Sequence, residues 1–219
     1  MRETFVRELQ RVQDNLLSLG SMVESGLIDA VDILKRRDIS GSNRLIQWDE
    51  WVNTRRFSIE GEVLLLIARQ QPVATDMRML AAMLEIATEL ERIGDYAKGI
   101  ARINLNLDPD FPHERYMDSL QKMSQIASHM IHEALKAFTW RDGELAQRIP
   151  ATDDELDDLY TTIYRQIIEH VSASPELIDS ANNIMWAAHN LERAGDRAVN
   201  ICERVVFTVT GEMIELSPS

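Results

Sequence analysis

Two short acidic motifs carry the strongest chemical signal in the sequence. Residues 89–95 read ELERIGD and residues 190–196 read NLERAGD, with five of seven positions identical at an offset of 101 residues. Residues four apart lie on one face of a helix, so Glu91 pairs with Asp95 and Glu192 with Asp196. One such pair is ordinarily a solvated acidic face or a partner for arginine, and that interpretation stays open. Repetition of the motif favours coordination of a cation instead.

A second acidic pair precedes each motif. Asp49 and Asn53 are four residues apart, and Asp153 and Asp157 repeat that spacing 104 residues later. Each LERxGD pair also borders the apolar stripe of its helix, where an uncompensated carboxylate costs several kcal/mol. If the upstream pair faces the motif across a bundle, four oxygen-bearing side chains converge. Such a set suits Mg²⁺, Ca²⁺, Mn²⁺ or iron.

Six amphipathic helices must position these residues. Apolar residues recur at three- and four-residue steps along the chain, and no window alternates as a strand would. The breaks between helices are predicted near residues 38–42, at Pro72, at the two-proline segment 108–112, at 142–143 and at 172–175. Thr75 or Asp76 is expected to cap the third helix, Thr152 to begin the fifth through a capping box, and Gly211 to cap the sixth.

The fold class predicted from these elements is all-α. The acidic motifs and Pro72 and Pro175 repeat in order at nearly equal offsets, which indicates duplication of a three-helix unit. We therefore expect two tandem three-helix bundles. The predicted boundaries are 1–107 for the first repeat, 108–113 for a linker, 114–211 for the second repeat and 212–219 for a C-terminal tail.

Composition excludes several classes of partner. With 36 acidic and 23 basic residues, the 219-residue chain has a formal charge of −13, which disfavours nucleic acid and anionic membrane surfaces. The longest apolar runs, 63–68 and 79–84, are far shorter than a membrane span. A single cysteine and the absence of a secretory signal at the start predict a cytoplasmic protein.

Known enzyme motifs are missing as well. The sequence has no Gly-Lys-Ser/Thr phosphate loop, no G-x-G-x-x-G segment after a strand and no nucleophile elbow. A ferritin-like di-iron oxidase needs Glu three residues before a histidine, and none of the five histidines has one. His170 and His189 are predicted to stand apart from the motifs. We therefore expect an interaction protein rather than an enzyme.

The chain resembles the PhoU family of accessory regulators of high-affinity phosphate transport. The segment PVATDMR at 72–78 is similar to the family's P-x-A-x-D-L-R, both LERxGD motifs match, and NICE at 200–203 fits N-I-x-E. This resemblance implies two multinuclear metal sites filled by iron, zinc, manganese, magnesium or calcium. Carried over by position, the first site consists of Asp49, Asn53, Glu91 and Asp95, and the second of Asp153, Asp157, Glu192 and Asp196.

The resemblance also implies a function and partners. It implies a homodimeric negative regulator of phosphate uptake and of the phosphate-starvation response that meets the membrane only through its partners. Those partners would be the ATPase subunit of the phosphate ABC transporter and a phosphate-sensing histidine kinase. The alternative is a helical metal-cluster protein that binds phosphate or performs metal-dependent chemistry directly.

Two departures distinguish the first predicted site from the second. Asn53 occupies the position of Asp157, and Lys98 occupies the position of Val199, within one turn of Asp95. Both changes reduce the negative charge of the first site. We therefore predict that the second site binds metal more tightly.

Overall fold

The computed structural model describes residues 2–216, which form helices and no β-strand. The prediction of an all-α fold is therefore confirmed. Six long helices and one short helix follow in chain order: α1 Arg2–Arg36, α2 Ile39–Gln70, α3 Ala74–Asn106, α4 Glu114–Trp140, α5 Gly143–Arg148, α6 Asp153–Ala173 and α7 Ile178–Thr210. Two 3₁₀ turns, Ile149–Thr152 and Pro175–Leu177, precede α6 and α7.

The first turn of each repeat has the same backbone. Arg37 after α1 and Arg141 after α4 both adopt the left-handed conformation, with φ of 55° and 54°. The following aspartate then caps the next helix: Asp38 accepts a hydrogen bond from the Gly41 amide, and Asp142 accepts one from Leu145. The two repeats therefore share the conformation of this turn as well as the acidic motifs.

Four helices form the centre of the molecule. The chain's most extensive helix pairing is between α3 and α7, while α1 packs on α3 and α4 packs on α7. Outside this layer, α2 covers α1 and α3, and α6 covers α7 and α4. The buried apolar residues make one continuous cluster rather than a core in each repeat. Because α3 and α7 carry the LERxGD motifs, the repeat interface runs beside both predicted sites.

Helix starts differ from the sequence predictions at three places. Ser40, Gly41 and Ser42 lie in the first turn of α2, because Asp38 caps it earlier than the predicted break. The third helix begins at Ala74 after extended Val73, so Thr75 and Asp76 fall inside the first turn and neither caps it.

The third difference concerns the fifth predicted helix. The 3₁₀ turn before α6 holds Thr152 in a helical conformation, and its side chain makes no capping hydrogen bond. The C-terminal cap was predicted correctly, since Gly211 is left-handed at φ 83° and its amide donates to Phe207 O. No helix in residues 2–216 is long and apolar enough to cross a membrane.

Candidate metal centre

Each predicted site is assembled between an outer helix and a central helix. Site 1 comprises Asp49 and Asn53 of α2 with Glu91 and Asp95 of α3, and site 2 comprises Asp153 and Asp157 of α6 with Glu192 and Asp196 of α7. The two pairs of each site therefore lie on helices that pack against each other. The two sites differ in what lies between their carboxylates.

In site 2 the four carboxylates line one cavity of about 450 Å³. Asp153 is buried, Glu192 and Asp196 are half-buried, and Asp157 is exposed. Oδ1 of Asp153 is buried without a hydrogen-bond partner among the described residues. Unpartnered carboxylate oxygens in a buried position are costly, so this cavity favours a cationic occupant.

The residues after α7 form another wall of the same cavity. Glu215 and Leu216 line it together with Glu203 of α7. The Leu216 amide donates a hydrogen bond of 3.0 Å to Oε1 of Glu203, which fixes this end of the described chain beside site 2.

The electrostatics of site 2 reflect four acids in one small volume. Burial, followed by the charges of Asp196 and Asp157, raises the pKa of Asp153 and of Glu192, in each case to about 7. Burial also raises the pKa of Asp157 and of Asp196. At neutral pH Asp153 and Glu192 are therefore partly protonated, and a bound cation would displace those protons.

His189 is a neighbour of site 2 that the spacing of the acidic motifs did not identify. Its Nδ1 lies 3.1 Å from Oε2 of Glu192, one helical turn away. Burial and the charge of Arg193 lower the pKa of His189, which favours the neutral imidazole that metals bind. The signal available in the sequence was its position three residues before Glu192.

Site 1 contains a cation supplied by the chain itself. Nζ of Lys98 lies 2.6 Å from Oδ2 of Asp49 and 2.8 Å from Oδ1 of Asp95, so it joins α2 to α3. Asn53 donates from its side-chain amide to the same Asp49 oxygen at 3.1 Å. Although partial burial opposes it, hydrogen bonding to Asp49 and Asp95 raises the pKa of Lys98, so the ammonium stays charged.

The remaining acid of site 1 has a different environment. Burial and then the charge of Asp95 raise the pKa of Glu91, while the charge of Arg56 opposes the rise. Oδ1 of Asp49 is buried without a hydrogen-bond partner among the described residues. Site 1 thus has three carboxylates, one amide and one internal ammonium, against four carboxylates in site 2.

The donor chemistry of site 2 fits a hard cation better than that of site 1. Each site has one buried aspartate oxygen without a hydrogen-bond partner among the described residues, Oδ1 of Asp49 and Oδ1 of Asp153, but Lys98 already lies between two of the site 1 carboxylates. Within residues 2–216, no three acidic, histidine or cysteine side chains stand close enough together to hold one ion. A cation in site 2 would therefore have to draw its ligands inward against their spacing in the free protein.

Glycine in each motif permits close helix packing. A Cβ added at Gly195 would lie 2.5 Å from Oδ1 of Asp153 and 2.5 Å from Cδ1 of Leu156. At Gly94 the corresponding contact is Cγ1 of Val52 at 3.0 Å. The absence of a side chain at Gly195 therefore lets the Asp153 carboxylate rest against the backbone of α7.

A second cavity, lined by arginines, lies where the two motifs meet. Its lining residues are Arg92, Asp95, Tyr96, Arg193 and Arg197. The Arg193 guanidinium lies over the Tyr96 ring at 4.8 Å. Both Arg92 and Arg197 contact Glu89, at 2.9 and 3.3 Å, and Nε of Arg197 is buried with no partner among the described residues.

Comparison with known proteins identifies this arrangement of two motif-bearing helices. A family model described as the PhoU domain matches residues 16–103 and again residues 120–205. The chain belongs to the PhoU family. The double match confirms both the resemblance and the duplicated three-helix architecture.

Relatives in the PhoU family span nearly the whole chain. The phosphate-specific transport system accessory protein PhoU of Serratia marcescens is 34% identical over 95% of this chain and 85% of its own length. A PhoU homolog of Clostridium acetobutylicum is 30% identical over 99% of both chains. The names of these relatives support a role in the regulation of phosphate transport.

Solved PhoU structures have the same fold. The crystal structure of PhoU from Pseudomonas aeruginosa has a TM-score of 0.88 at 33% identity and covers 95% of this chain and 100% of that one. The phosphate transport system regulatory protein PhoU from Streptococcus pneumoniae has a TM-score of 0.90 at 28% identity and covers 97% and 100%.

Proposed function

We propose that this protein is a cytoplasmic negative regulator of phosphate uptake and of the phosphate-starvation response, and that it is not an enzyme. The observation that carries the proposal is the pair of LERxGD motifs at the repeat interface, in a chain whose relatives are named phosphate transport accessory proteins. Its partners would be the ATPase subunit of the phosphate transporter and a phosphate-sensing histidine kinase. When phosphate is plentiful, it would favour the inactive or phosphatase state of the kinase.

Deletion of the gene tests the regulatory proposal. A reporter of the starvation response should become active in phosphate-rich medium, and the wild-type chain should silence it again. Tagged protein should also retain the transporter ATPase and the kinase from membranes solubilised in detergent. A reporter that stays silent in the deletion strain would contradict the proposal.

We infer that site 2 is the metal-binding part of this regulator. Its four carboxylates and the unpartnered Oδ1 of Asp153 support binding of a divalent or trivalent ion, with iron, zinc, manganese, magnesium and calcium as candidates. The ion would neutralise the acidic cavity and fasten α6 to α7. His189 could supply one nitrogen donor beside Glu192.

Titration with Mn²⁺ tests this assignment. Asp196→Asn should weaken binding by roughly tenfold or more, because it removes a charged oxygen ligand. The matched variant Asp95→Asn in site 1 should leave binding nearly unchanged. Greater loss of metal from Asp95→Asn than from Asp196→Asn would overturn the assignment.

A homodimer is also proposed, through the outer face of α2. Phe57, Leu64 and Leu65 are 61%, 52% and 47% exposed on this helix, and aromatic and aliphatic residues of this kind are enriched where subunits meet. The wild-type protein should sediment as a dimer, and the Phe57→Glu variant should sediment as a monomer. A monomeric wild type would disprove this part of the proposal.

The arginine-lined cavity supports a second candidate function, direct binding of phosphate. Arg193 has no carboxylate within ion-pair distance among the described residues, and together with Arg197 it presents guanidinium donors to a tetrahedral oxyanion. Calorimetry with inorganic phosphate tests this candidate, and Arg193→Gln should weaken binding about tenfold, which corresponds to one lost charged hydrogen bond. Affinity that appears only when Mn²⁺ is present would favour phosphate held on a metal, and no affinity in either condition would exclude the candidate.

A further inference from the structure

The internal duplication provides two versions of one acidic frame in the same molecule. In both versions an outer helix supplies one acidic residue that is buried, Asp49 or Asp153, and a central helix supplies an aspartate from the LERxGD motif. The frames differ at the position three residues after that motif. It is Lys98 in the first repeat and Val199 in the second.

Lys98 lies between the carboxylates of its frame. Its ammonium contacts Asp49 at 2.6 Å and Asp95 at 2.8 Å, and the side chains of Lys98 and Asp49 are only 19% and 6% exposed. This is a partly buried ion-pair network between two helices, not a surface salt bridge. Removing the ammonium would leave the Asp49 carboxylate as a buried charge without an ion-pair partner. An unpaired buried charge strongly destabilises a protein.

Val199 lines the cavity of site 2 and brings no charge to it. No lysine or arginine of residues 2–216 lies within ion-pair distance of Asp153, although Arg197 lines the same cavity. The two repeats thus place the same kind of carboxylate in the same place, with an ammonium in contact with the acids of site 1 and no lysine or arginine in ion-pair contact with the four acids of site 2 among the described residues.

We propose that the Lys98 ammonium is the resident cation of site 1, so that site 1 takes up no metal ion and the protein binds metal at site 2 alone. A divalent ion entering site 1 would meet a positive charge already hydrogen-bonded to two of its ligands. Like charges at such a separation in a poorly solvated site repel strongly. Asn53, in place of the second repeat's Asp157, removes a further charge that the ion would need.

This inference rests on the proposed metal binding at site 2, but it predicts more. It makes Lys98 the residue that decides which repeat binds metal. It also assigns different roles to the two halves. In the first, the acidic residues hold α2 and α3 together permanently through Lys98. In the second, the acidic residues hold α6 and α7 together only when an ion is bound.

A reciprocal exchange of the two residues tests the inference. The probe is Mn²⁺, counted by equilibrium binding and by electron paramagnetic resonance of bound and free ion. Lys98→Val should gain Mn²⁺ that is lost again when Asp95→Asn is added. Val199→Lys should lose the Mn²⁺ bound at site 2, and it should unfold at a higher temperature than wild type at neutral pH without metal.

Two further variants keep the test decisive. Lys98→Met retains most of the aliphatic stem, so it replaces Lys98→Val if that variant does not fold, as judged by circular dichroism. Lys98→Arg keeps the positive charge and should gain no Mn²⁺. A gain in Lys98→Arg equal to that in Lys98→Val would overturn the assignment of Lys98 as a charge-based replacement.

The outcomes separate this inference from the proposed function. If wild-type protein binds Mn²⁺ through Asp95, the inference is wrong while metal binding stands. If wild type binds none but Lys98→Val does, the inference is supported and metal binding by the natural protein is not. If Lys98→Val gains no ion, the inference is overturned whatever site 2 does.

Discussion

At the scale of single residues, the four acids of site 2 make the charge state of the protein sensitive to pH near neutrality. Burial and mutual repulsion raise the pKa of Asp153 and of Glu192 to about 7, well above the usual values for these side chains. The folded protein therefore binds protons that the unfolded chain has already released. That difference connects protonation at site 2 to the free energy of unfolding.

Without metal, we predict that stability falls as pH rises from about 5 through 7 and levels off above about pH 8, once Asp153 and Glu192 have lost their protons. In this range the folded state holds more protons than the unfolded state, so the free energy of unfolding decreases with increasing pH. Thermal unfolding in the presence of a chelator measures it. Asp153→Asn with Glu192→Gln should flatten the profile, because both amides mimic the protonated acids.

Addition of Mn²⁺ provides the control for the pH prediction. Because metal binding releases the same protons, the metal should stabilise the wild type more at about pH 7 than at about pH 5. A wild type that gains stability over this range in chelator, relative to the double variant, would contradict the account.

Whether a contact between two residues could be predicted depends on how far apart they are along the chain. The pairing of the eight candidate residues along their helices follows from four-residue spacing and duplication, which can be read from the sequence alone. The contact of Lys98 with Asp95 is local, since the two are three residues apart. Its contact with Asp49 depends on how closely α2 and α3 approach, and no sequence period encodes that distance.

At the scale of elements, the separation of α6 and α7 depends on Gly195. An alanine in the middle of a helix normally stabilises it by about 1 kcal/mol relative to glycine. At this position the added methyl group would meet Asp153 and Leu156 at 2.5 Å. Overpacking of this kind typically costs about 1–3 kcal/mol, so packing outweighs helix propensity.

We predict that Gly195→Ala lowers the affinity of site 2 for Mn²⁺ and does not raise the melting temperature. The methyl group displaces the Asp153 carboxylate from its position against α7. Gly94→Ala is the matched variant, since its methyl group meets only Val52 at 3.0 Å, and it should leave Mn²⁺ affinity nearly unchanged. Melting curves and Mn²⁺ titration measure both effects. A Gly195→Ala protein more stable than wild type with unaltered affinity would refute the packing argument.

Helix identity was predictable from the sequence, whereas several helix starts were not. Apolar residues at three- and four-residue steps fix which segments are helical, and Pro72 fixes the end of α2. The start of α2 depends on the Asp38 side chain reaching the Gly41 amide at 2.8 Å, which allows serine and glycine into the first turn. The Arg-Asp pairs at 37–38 and 141–142 are a further sequence repeat, and they mark the two equivalent turns.

At the scale of the whole molecule, the two repeats share one core. The pairing of α3 with α7 crosses the repeat boundary and is the most extensive in the structure, and the buried apolar residues form a single cluster. Neither half can bury its motif-bearing helix without the other. The duplication visible in the sequence is therefore not a division into independently folding domains.

Separate expression of residues 1–110 and 111–219 tests this cooperativity. Each fragment should lack a cooperative unfolding transition of its own, because the α3–α7 surface would be exposed to water. Co-expression should restore a helical complex. As a control, cleavage at a protease site placed in the 108–112 segment of the folded protein should leave both halves bound. A fragment that alone unfolds cooperatively at the wild-type temperature would show that the halves are independent.

The position of Glu215 and Leu216 beside site 2 has a practical consequence for anyone purifying the protein. A histidine tag fused after Ser219 would begin only a few residues after Leu216 in the sequence. It would therefore bring imidazole ligands near the ion bound at site 2. Nickel leached from the resin would then be counted as bound metal. Tags on the α1 end of the chain, or a tag-free preparation, give the cleaner measurement of metal content.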